Sequence, residues 1–313
     1  MSSRTPPEPG RGALSSPPGR FQRTTTTAVE DGWSTAEDDP ADALPDSIAT
    51  HVLPEHARSI ITRNDSPDIV FDQSINPYRG CEHGCIYCYA RPSHAYVDLS
   101  PGLDFERRLF YKADAARLLE QELAKPHYVC KTIMLGANTD PYQPVEKRLR
   151  VTRSVLEVLA RTRHPVAIVT KGALLERDLD LLAELARDRL VRVTLSLPTL
   201  DRDLKRTLEP RAASPQARLR LMARLKDAGV PVGVLVAPVI PVLTDHEIER
   251  VLEASAAAGA SSAAYVMLRL PYEVKTLFRE WVGAHFPDSA AHVMARVAAL
   301  LGRRAHDPGH RTR

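Results

Sequence analysis

Short apolar runs alternate with helical periods between about residues 66 and 268, and this alternation limits the folds open to the chain. Six runs have the length and composition of strands: 69–71, 131–135, 166–170, 191–197, 230–237 and 263–268. Helices are predicted between them at 151–163, 178–187, 214–229 and 244–258. Strands alternating with helices favour a parallel sheet, and six units are fewer than the eight of a closed barrel. The pattern therefore predicts an α/β fold, a partial (β/α)6 barrel.

The segments that flank this alternation differ from it in composition. Residues 1–48 contain few apolar residues, a threonine run at 24–27 and an acidic patch at 37–39. Such a segment buries too little apolar surface to offset its ordering entropy, so it is predicted to be disordered. Its early arginines leave a mitochondrial transit peptide as the alternative. The core domain is expected over 60–285, and a C-terminal helix with a basic tail over 286–313.

Hydrophobicity and charge indicate the compartment in which the protein is expected and bear on its possible partners. The sequence contains neither a transmembrane run nor the apolar region of a secretory signal, so a reducing cytoplasm without membrane association is expected. The net charge of +3 arises from 42 Lys and Arg against 39 Asp and Glu. This near balance neither requires nor excludes a nucleic-acid partner, although six Phe and two Trp offer few surfaces for base stacking.

Three of the four cysteines lie within eight residues, at Cys81, Cys85 and Cys88. Their loop follows the first predicted strand, at the end of the barrel where active sites form. Three thiolates can hold three irons of a [4Fe–4S] cluster and leave the fourth iron open to a small molecule. A structural zinc ion usually has four ligands, and no second CxxC pair completes such a site. The spacing therefore predicts a cluster with one free coordination position.

Two other uses of these cysteines remain open on the residues alone. A zinc site would form if His83 or a distant histidine supplied the fourth ligand. The protein would then be a non-enzymatic metal-binding module. A disulfide is the weaker alternative, because a reducing cytoplasm keeps thiols reduced.

The segment from Cys81 to Tyr89, Cys-Glu-His-Gly-Cys-Ile-Tyr-Cys-Tyr, resembles the signature of the radical S-adenosylmethionine (SAM) superfamily. The resemblance implies that Cys81, Cys85 and Cys88 hold a [4Fe–4S] cluster whose open iron binds the amino and carboxyl groups of SAM. It also implies reductive cleavage of SAM to a 5′-deoxyadenosyl radical, with a flavodoxin or ferredoxin as electron donor. Cofactors of this kind carry the difficult chemistry, while the protein orients and shields it.

The same resemblance implies SAM contacts where the next three strands end. Asn138, Thr139 and Asp140 follow the second strand and are expected to hold the SAM amino group, with an ordinary Asx turn as the alternative. Lys171 ends the third strand and is expected to pair with the SAM carboxylate, although most lysines lie on the surface without such a role. Ser196 ends the fourth strand and is expected to contact SAM or only to cap a turn.

Five motifs taken as a set resemble one branch of the superfamily, the spore-photoproduct-lyase-like proteins, over roughly residues 60–285. The motifs are the cysteine segment and residues 138–144, 169–171, 208–211 and 237–241. In the fourth motif, Glu209 and Arg211 are expected to pair at the barrel mouth or on the surface.

Three residues bear on how far this branch resemblance extends. Tyr89 matches a tyrosine on the radical-transfer path of the lyase, which implies a catalytic role for it. Ala137 occupies the position of the cysteine that donates hydrogen in the lyase. Cys130, at the opposite end of that strand, is expected to be a small buried hydrophobe.

The function expected from all these features is that of a radical SAM enzyme, of lyase or transferase type, acting on an unidentified substrate. A DNA lesion repair lyase of the spore photoproduct lyase type is the first alternative, and alanine at position 137 argues against it. The non-enzymatic metal-binding module is the second alternative. The barrel pattern and the polar residues at several strand ends argue against that module, and a nucleic-acid substrate stays open.

Overall fold

A computed structural model describes residues 10–21, 49–65 and 71–300, which contain two sheets and a series of helices. The strands are β1 (His51–Pro54), β2 (Ile61–Arg63), β3 (Gln73–Ile75), β4 (Tyr78–Arg79), β5 (Arg108–Tyr111), β6 (Ile133–Leu135), β7 (Val166–Thr170), β8 (Val191–Ser196), β9 (Val232–Val239) and β10 (Ser262–Met267). The α-helices are α1 (Leu103–Arg107), α2 (Ala115–Leu123), α3 (Glu146–Leu149), α4 (Val151–Arg161), α5 (Leu179–Arg187), α6 (Arg202–Leu208), α7 (Pro215–Asp227), α8 (Ile248–Ala257), α9 (Val274–His285) and α10 (Ala290–Leu300). Short 3-10 helices cover Arg91–Val97, Ala173–Asp178 and Asp245–Glu247.

The larger sheet has the topology of a partial barrel. Strands β3, β6, β7, β8, β9 and β10 are parallel and neighbour one another in that order, and β2 pairs antiparallel with β3. Helices lie in the connections between these parallel strands, as a parallel sheet requires. A smaller sheet contains β1, β5 and β4. The predicted α/β fold with a partial (β/α)6 barrel is confirmed.

Helix α7 illustrates how local sequence sets the boundaries of an element. Ser214 is the N-cap, and its Oγ accepts a hydrogen bond of 3.2 Å from the backbone N–H of Ala217. Pro215 occupies the first helical position, where a missing N–H costs nothing. Gly229, with φ of +75°, follows the helix in the left-handed conformation that glycine adopts without strain. These signals lie in the sequence, and the predicted helix is confirmed.

The first strand of the barrel differs from the prediction. It is β3, Gln73–Ile75, whereas the apolar run predicted a strand at 69–71; residues 69 and 70 lie outside the described residues. Gln73 is fully buried because its Nε2 donates to the Val129 carbonyl at 3.0 Å and its Oε1 accepts from the Tyr128 hydroxyl at 2.9 Å. Tertiary hydrogen bonds therefore allow polar residues in a strand that hydrophobicity alone does not reveal.

Residues 10–21, named here the N-terminal strap, pack against the cysteine loop. The backbone N–H groups of Gly12 and Ala13 donate to the Glu106 carboxylate at 3.0 and 2.9 Å. A Cβ on Gly12 would lie 1.8 Å from the Gly84 carbonyl oxygen, so only glycine fits this approach. Within the segment 1–48, for which disorder is predicted, a buried carboxylate thus binds the backbone of Gly12 and Ala13, a contact that no apolar signal in the sequence indicates. Residues 1–9 and 22–48 lie outside the described residues.

The C-terminal helices and the cysteine loop share a hydrophobic cluster that is separate from the main core of the barrel. Phe278 and Trp281 of α9 belong to the same buried cluster as Ile86 and Tyr87. The Trp281 indole also donates to the Thr207 carbonyl at 3.1 Å, which joins α9 to α6. The predicted basic tail lies among residues 301–313, outside the described residues. Among the described helices, none combines the length and apolar character needed to cross a membrane.

Candidate active site

The three clustered cysteines lie on the loop between β4 and the 3-10 helix Arg91–Val97. Cys81 and Cys85 are buried, Cys88 is half-buried, and all three are free thiols. Tight turns shape the loop, since Gly84 N–H donates to the Cys81 carbonyl at 3.3 Å and Cys88 N–H to the Cys85 carbonyl at 3.2 Å. Gly84 has a φ of +67°, and a Cβ there would lie 2.8 Å from Glu106 Oε2. The glycine between the first two cysteines is therefore required by the backbone.

A buried ion pair between Arg91 and Glu106 contacts the backbone of the cysteine loop. Arg91 is fully buried and donates from Nε to the Cys85 carbonyl at 2.9 Å and from Nη2 to the Gly84 carbonyl at 3.1 Å. The same Nη2 donates to Glu106 Oε1 at 2.5 Å, and Glu106 also accepts from the N-terminal strap. Because a planar guanidinium has five fixed donors, one arginine joins the loop, α1 and the strap.

Burial opposes ionisation of the three thiols when no metal is bound. Desolvation raises the pKa of Cys81, Cys85 and Cys88; the charge of Asp140 raises the pKa of Cys81 further, and the charge of Glu209 does the same for Cys85. Metal ligation requires thiolates, and a bound cation reverses this preference. Three free thiols on one short loop, two of them buried, are by their chemistry a donor set that fits a cluster with one open iron.

The position of His83 bears on the zinc alternative. Its Nδ1 lies 3.3 Å from Asp140 Oδ2, a distance that suits an ion pair when the imidazole is protonated. His83 therefore lies beside Asp140. Within the part of the chain that the structure describes, no three His, Cys, Asp or Glu side chains converge on a site for a single metal ion. Among the described residues, the structure therefore shows no zinc site that uses His83.

The loop after β6 carries the three residues expected to hold the SAM amino group. Asp140 accepts from Thr170 Oγ1 at 2.6 Å, from Lys171 N–H at 2.7 Å and from Tyr142 N–H at 2.9 Å. Burial would raise the pKa of Asp140, but the charge of His83 and these hydrogen bonds lower it. Asp140 is thus an ionised bridge between this loop and β7.

Its two neighbours differ in what their side chains contact. Thr139 is buried, and its hydroxyl donates to the Tyr78 carbonyl at 2.7 Å. Asn138 is half-buried, and its backbone N–H donates to Asn76 Oδ1 at 2.9 Å. The side chains of Thr139 and Asp140 form hydrogen bonds with the protein and so shape the loop. The hydrogen bond given for Asn138 uses its backbone, which leaves its side chain better placed to contact a ligand.

Lys171 and Ser196, predicted as separate SAM contacts, lie side by side. Lys171 Nζ donates to Ser196 Oγ at 3.0 Å, and Ser196 Oγ donates to the Ala237 carbonyl at 3.1 Å. Lys171 Nζ also lies 4.0 Å from Glu209 Oε1. Burial would lower the pKa of Lys171, but the charges of Glu209 and Cys85 raise it above its ordinary value. A charged ammonium group is thus held beside the cysteine loop.

Glu209 has different partners from those expected. Arg211 pairs with Glu82, Nη1 to Oε1 at 3.2 Å, so the predicted Glu209–Arg211 pair is wrong. Glu209 is fully buried and accepts from the Tyr87 hydroxyl and from Arg218 Nη2. The backbone N–H of Arg211 donates to the His83 carbonyl at 3.2 Å, so Arg211 contacts the cysteine loop through both its backbone and its side chain.

Arg218 is the site residue that inspection of the sequence missed. It is buried and also donates from Nη1 to the Ser196 carbonyl at 2.6 Å, so it supports both Ser196 and Glu209. A signal for it exists, because Arg218 shares a face of α7 with the buried Leu221 and Leu225 at helical spacing. An arginine at a core position of an amphipathic helix predicts a buried partner.

Tyr89 and Cys130 complete the predicted residues. The Tyr89 hydroxyl donates to the Ala137 carbonyl, which joins the cysteine loop to the loop after β6, and 57% of Tyr89 is exposed. Cys130 is exposed, so its predicted burial is wrong. It precedes β6 in the exposed stretch 129–132, outside the hydrophobic core.

Comparison with known proteins identifies the class. The profile of the radical SAM superfamily matches residues 75–254, from β3 through most of α8. The chain belongs to the radical SAM superfamily. An uncharacterized protein of Mycobacterium tuberculosis is 40% identical over 220 residues, covering 70% of this chain and 65% of the relative. An uncharacterized protein of Methanocaldococcus jannaschii is 28% identical over 176 residues, covering 55% of this chain and 62% of the relative. The chain thus spans less than two thirds of the length of these relatives.

Solved structures show the same fold in spore photoproduct lyase. A variant of that lyase with bound AdoMet and dinucleoside spore photoproduct superposes with a TM-score of 0.57 at 16% identity, covering 76% of this chain and 66% of the lyase chain. Another variant gives a TM-score of 0.55 at 16% identity, with the same coverage of both chains. At this identity the likeness concerns the fold, and it confirms the spore-photoproduct-lyase-like architecture.

Proposed function

We propose that this chain is a radical SAM enzyme that cleaves SAM reductively and abstracts hydrogen from an organic substrate. The observation that carries the proposal is the proximity of three free cysteines on one loop, two of them buried, to the Lys171–Ser196 pair at the carboxyl ends of parallel strands. A bound [4Fe–4S] cluster with SAM would supply one-electron cleavage of SAM and a 5′-deoxyadenosyl radical.

The residues of this chain would bind and orient the cofactors. Cys81, Cys85 and Cys88 would hold three irons as thiolates. Lys171 would pair with the SAM carboxylate, since its ammonium group is charged and already oriented by Ser196. The side chain of Asn138 is half-buried and would contact the SAM amino group.

Thr139 and Asp140 would contribute mainly by holding their loop in shape, since both side chains contact protein groups. Tyr89 would stand beside the substrate, because it is exposed and anchored to the loop after β6. The electron would come from a flavodoxin or ferredoxin in a reducing cytoplasm, where the thiols stay free to bind iron.

Repair of a DNA lesion is the less supported form of this chemistry. The fold is shared with spore photoproduct lyase, and Tyr89 lies next to Ala137. Alanine has no thiol to donate hydrogen, and Cys130 lies ahead of β6, at the end of the strand opposite the cysteine loop. A repair reaction would therefore need another hydrogen donor.

The test is anaerobic reconstitution of the full chain with iron and sulfide, followed by dithionite reduction in the presence of SAM. We expect 5′-deoxyadenosine from the unmodified protein and none above background from Cys81→Ala. Tight zinc binding with no cluster and no product would favour the metal-binding module. A reconstituted cluster that yields no 5′-deoxyadenosine, even with SAM bound, would refute SAM cleavage by this protein in the absence of its organic substrate.

The proposed role of Lys171 leads to a separate prediction. Lys171→Met should weaken SAM binding by about 10- to 100-fold, because a hydrogen bond to a charged group contributes roughly 1.5–3 kcal/mol. Iron content should stay unchanged, because Glu209 keeps Tyr87 and Arg218 as partners. Equilibrium binding of SAM to the reconstituted protein measures the effect.

Lys131→Met is the matched control, since Lys131 forms an exposed ion pair with Asp72 ahead of β6. The control should bind SAM like the unmodified protein. Equal SAM affinity in Lys171→Met would remove Lys171 from the binding site.

A further inference from the structure

A basic pocket lies on the connection between β8 and α7. Its cavity of about 380 Å³ is lined by Arg202, Lys205, Arg206, Ser214, Gln216 and Arg220, together with a proline. No carboxylate is among the residues that line it. Four cationic side chains therefore surround one concavity without a negative charge in its wall.

The cations of this pocket are poorly neutralised by the protein. Arg202 Nε donates to Gln216 Oε1 at 2.9 Å, and Lys205 Nζ donates to the Pro210 carbonyl at 3.3 Å; both partners are uncharged. Arg220 has no ion-pair partner within the described residues. Such a cluster of like charges repels itself until an anion binds.

Arg206 is the one lining cation with an acidic partner among the described residues. It pairs with Asp203 at 3.2 Å, and both side chains are more than three quarters exposed. An ion pair in water contributes little and gives way readily to a better ligand.

Two further features favour an anion at this place. The pocket includes the N-terminus of α7, a helix of 13 residues whose dipole adds partial positive charge. Burial, and then the charge of Arg218, lower the pKa of Lys205, and they outweigh the charge of Glu209, which raises it.

We propose that this pocket binds a phosphoryl group. A phosphate dianion matches several convergent cations, and the planar guanidinium of arginine suits its oxygens. A compact anionic group can contact several of these cations at once, because they line one shallow depression. The assignment does not depend on the cysteines, so it stands or falls separately from SAM cleavage.

The pocket adjoins the proposed active site through the backbone. Ala213, directly before Ser214, donates from its N–H to the Lys171 carbonyl at 3.2 Å. The carbonyl that Lys205 contacts belongs to Pro210, the residue after Glu209. An organic phosphate bound here would therefore lie on the segment that carries Glu209, and free phosphate would occupy the same position.

The experiment is calorimetric titration of the full chain, without SAM, at constant ionic strength. Inorganic phosphate and ribose 5-phosphate are the two probes. We expect saturable binding at one site, weakened roughly tenfold by Arg220→Gln, since a lost charge-assisted contact of about 1.4 kcal/mol is a factor of ten. Tighter binding of ribose 5-phosphate would identify an organic phosphate as the ligand, and equal binding would identify phosphate itself.

Arg224→Gln is the matched control on the same helix. Arg224 pairs with Glu176 at 2.8 Å and does not line the pocket, so its loss should leave phosphate binding unchanged. Arg202→Gln provides a second pocket variant, and both Arg202 and Arg220 are exposed, so neither change should disturb folding.

Three results would overturn the proposal. They are the absence of saturable binding, equal weakening by Arg224→Gln and Arg220→Gln, and binding that neither pocket variant weakens. If phosphate failed to bind while an acidic flavodoxin bound in a manner that depends on Arg220, the pocket would be a protein-docking surface.

Discussion

Cys85→Ala is expected to lose nearly all cluster iron, the visible absorption of the cluster and SAM cleavage. The loop supplies three thiols and no spare cysteine, because the fourth free cysteine, Cys130, lies outside it. Cluster ligation and its binding energy depend on each thiolate, so removal of one leaves an incomplete site. Iron and sulfide analysis after anaerobic reconstitution measures the loss.

Cys130→Ala is the matched control for this experiment. Cys130 is exposed and lies ahead of β6, away from the cysteine loop, so iron content and SAM cleavage should equal those of the unmodified protein. Stoichiometric iron in Cys85→Ala would contradict the ligand assignment. A large loss of activity in Cys130→Ala would show that the exposed thiol has a role in turnover.

The second large effect is expected from Arg91→Met, which should lower the free energy of unfolding by about 3–5 kcal/mol. The substitution leaves Glu106 as a buried charge, and it removes the donor from the carbonyls of Gly84 and Cys85. Urea unfolding of the metal-free protein measures this change without a contribution from iron.

Arg117→Met is the control for the loss of an arginine. Arg117 forms an exposed pair with Asp114 at 3.0 Å, so its loss should change stability by at most about 1 kcal/mol. The double variant Arg91→Met with Glu106→Gln should recover part of the loss, because it removes the uncompensated charge. An Arg91→Met protein as stable as the control would refute the role of this pair in holding the loop.

Much of the barrel was predictable because its signals are local. Val166–Thr170 was predicted with the boundaries that β7 has, and α7 has its N-cap, proline and final glycine within one stretch of sequence. Strand β3 escaped prediction because Gln73 and Ser74 are polar. Their burial depends on partners far along the chain, such as Tyr128.

The candidate active site also contains residues that the sequence predicts and residues that only the fold brings together. Cys81, Cys85 and Cys88 are close in sequence, so the motif predicts a joint role for them. Lys171 and Ser196 end neighbouring strands of a parallel sheet, and their proximity follows from the predicted strand order.

For the residue pairs that support the site, the local sequence does not identify which partner each residue contacts. Arg218 is nine residues from Glu209, on the other side of a turn. The loop after β6 reaches Tyr89 only through the fold.

The sequence by itself determined the fold class, and it predicts the three cluster ligands and the strand ends where SAM contacts are expected, because those features depend on spacing along the chain. The tertiary structure alone decided that Glu209 pairs with Arg218, that Arg91 and Glu106 hold the cysteine loop, and that the N-terminal strap packs on Glu106. The physical reason is that a buried charge must find a compensating partner, and chain folding selects that partner irrespective of its distance in sequence.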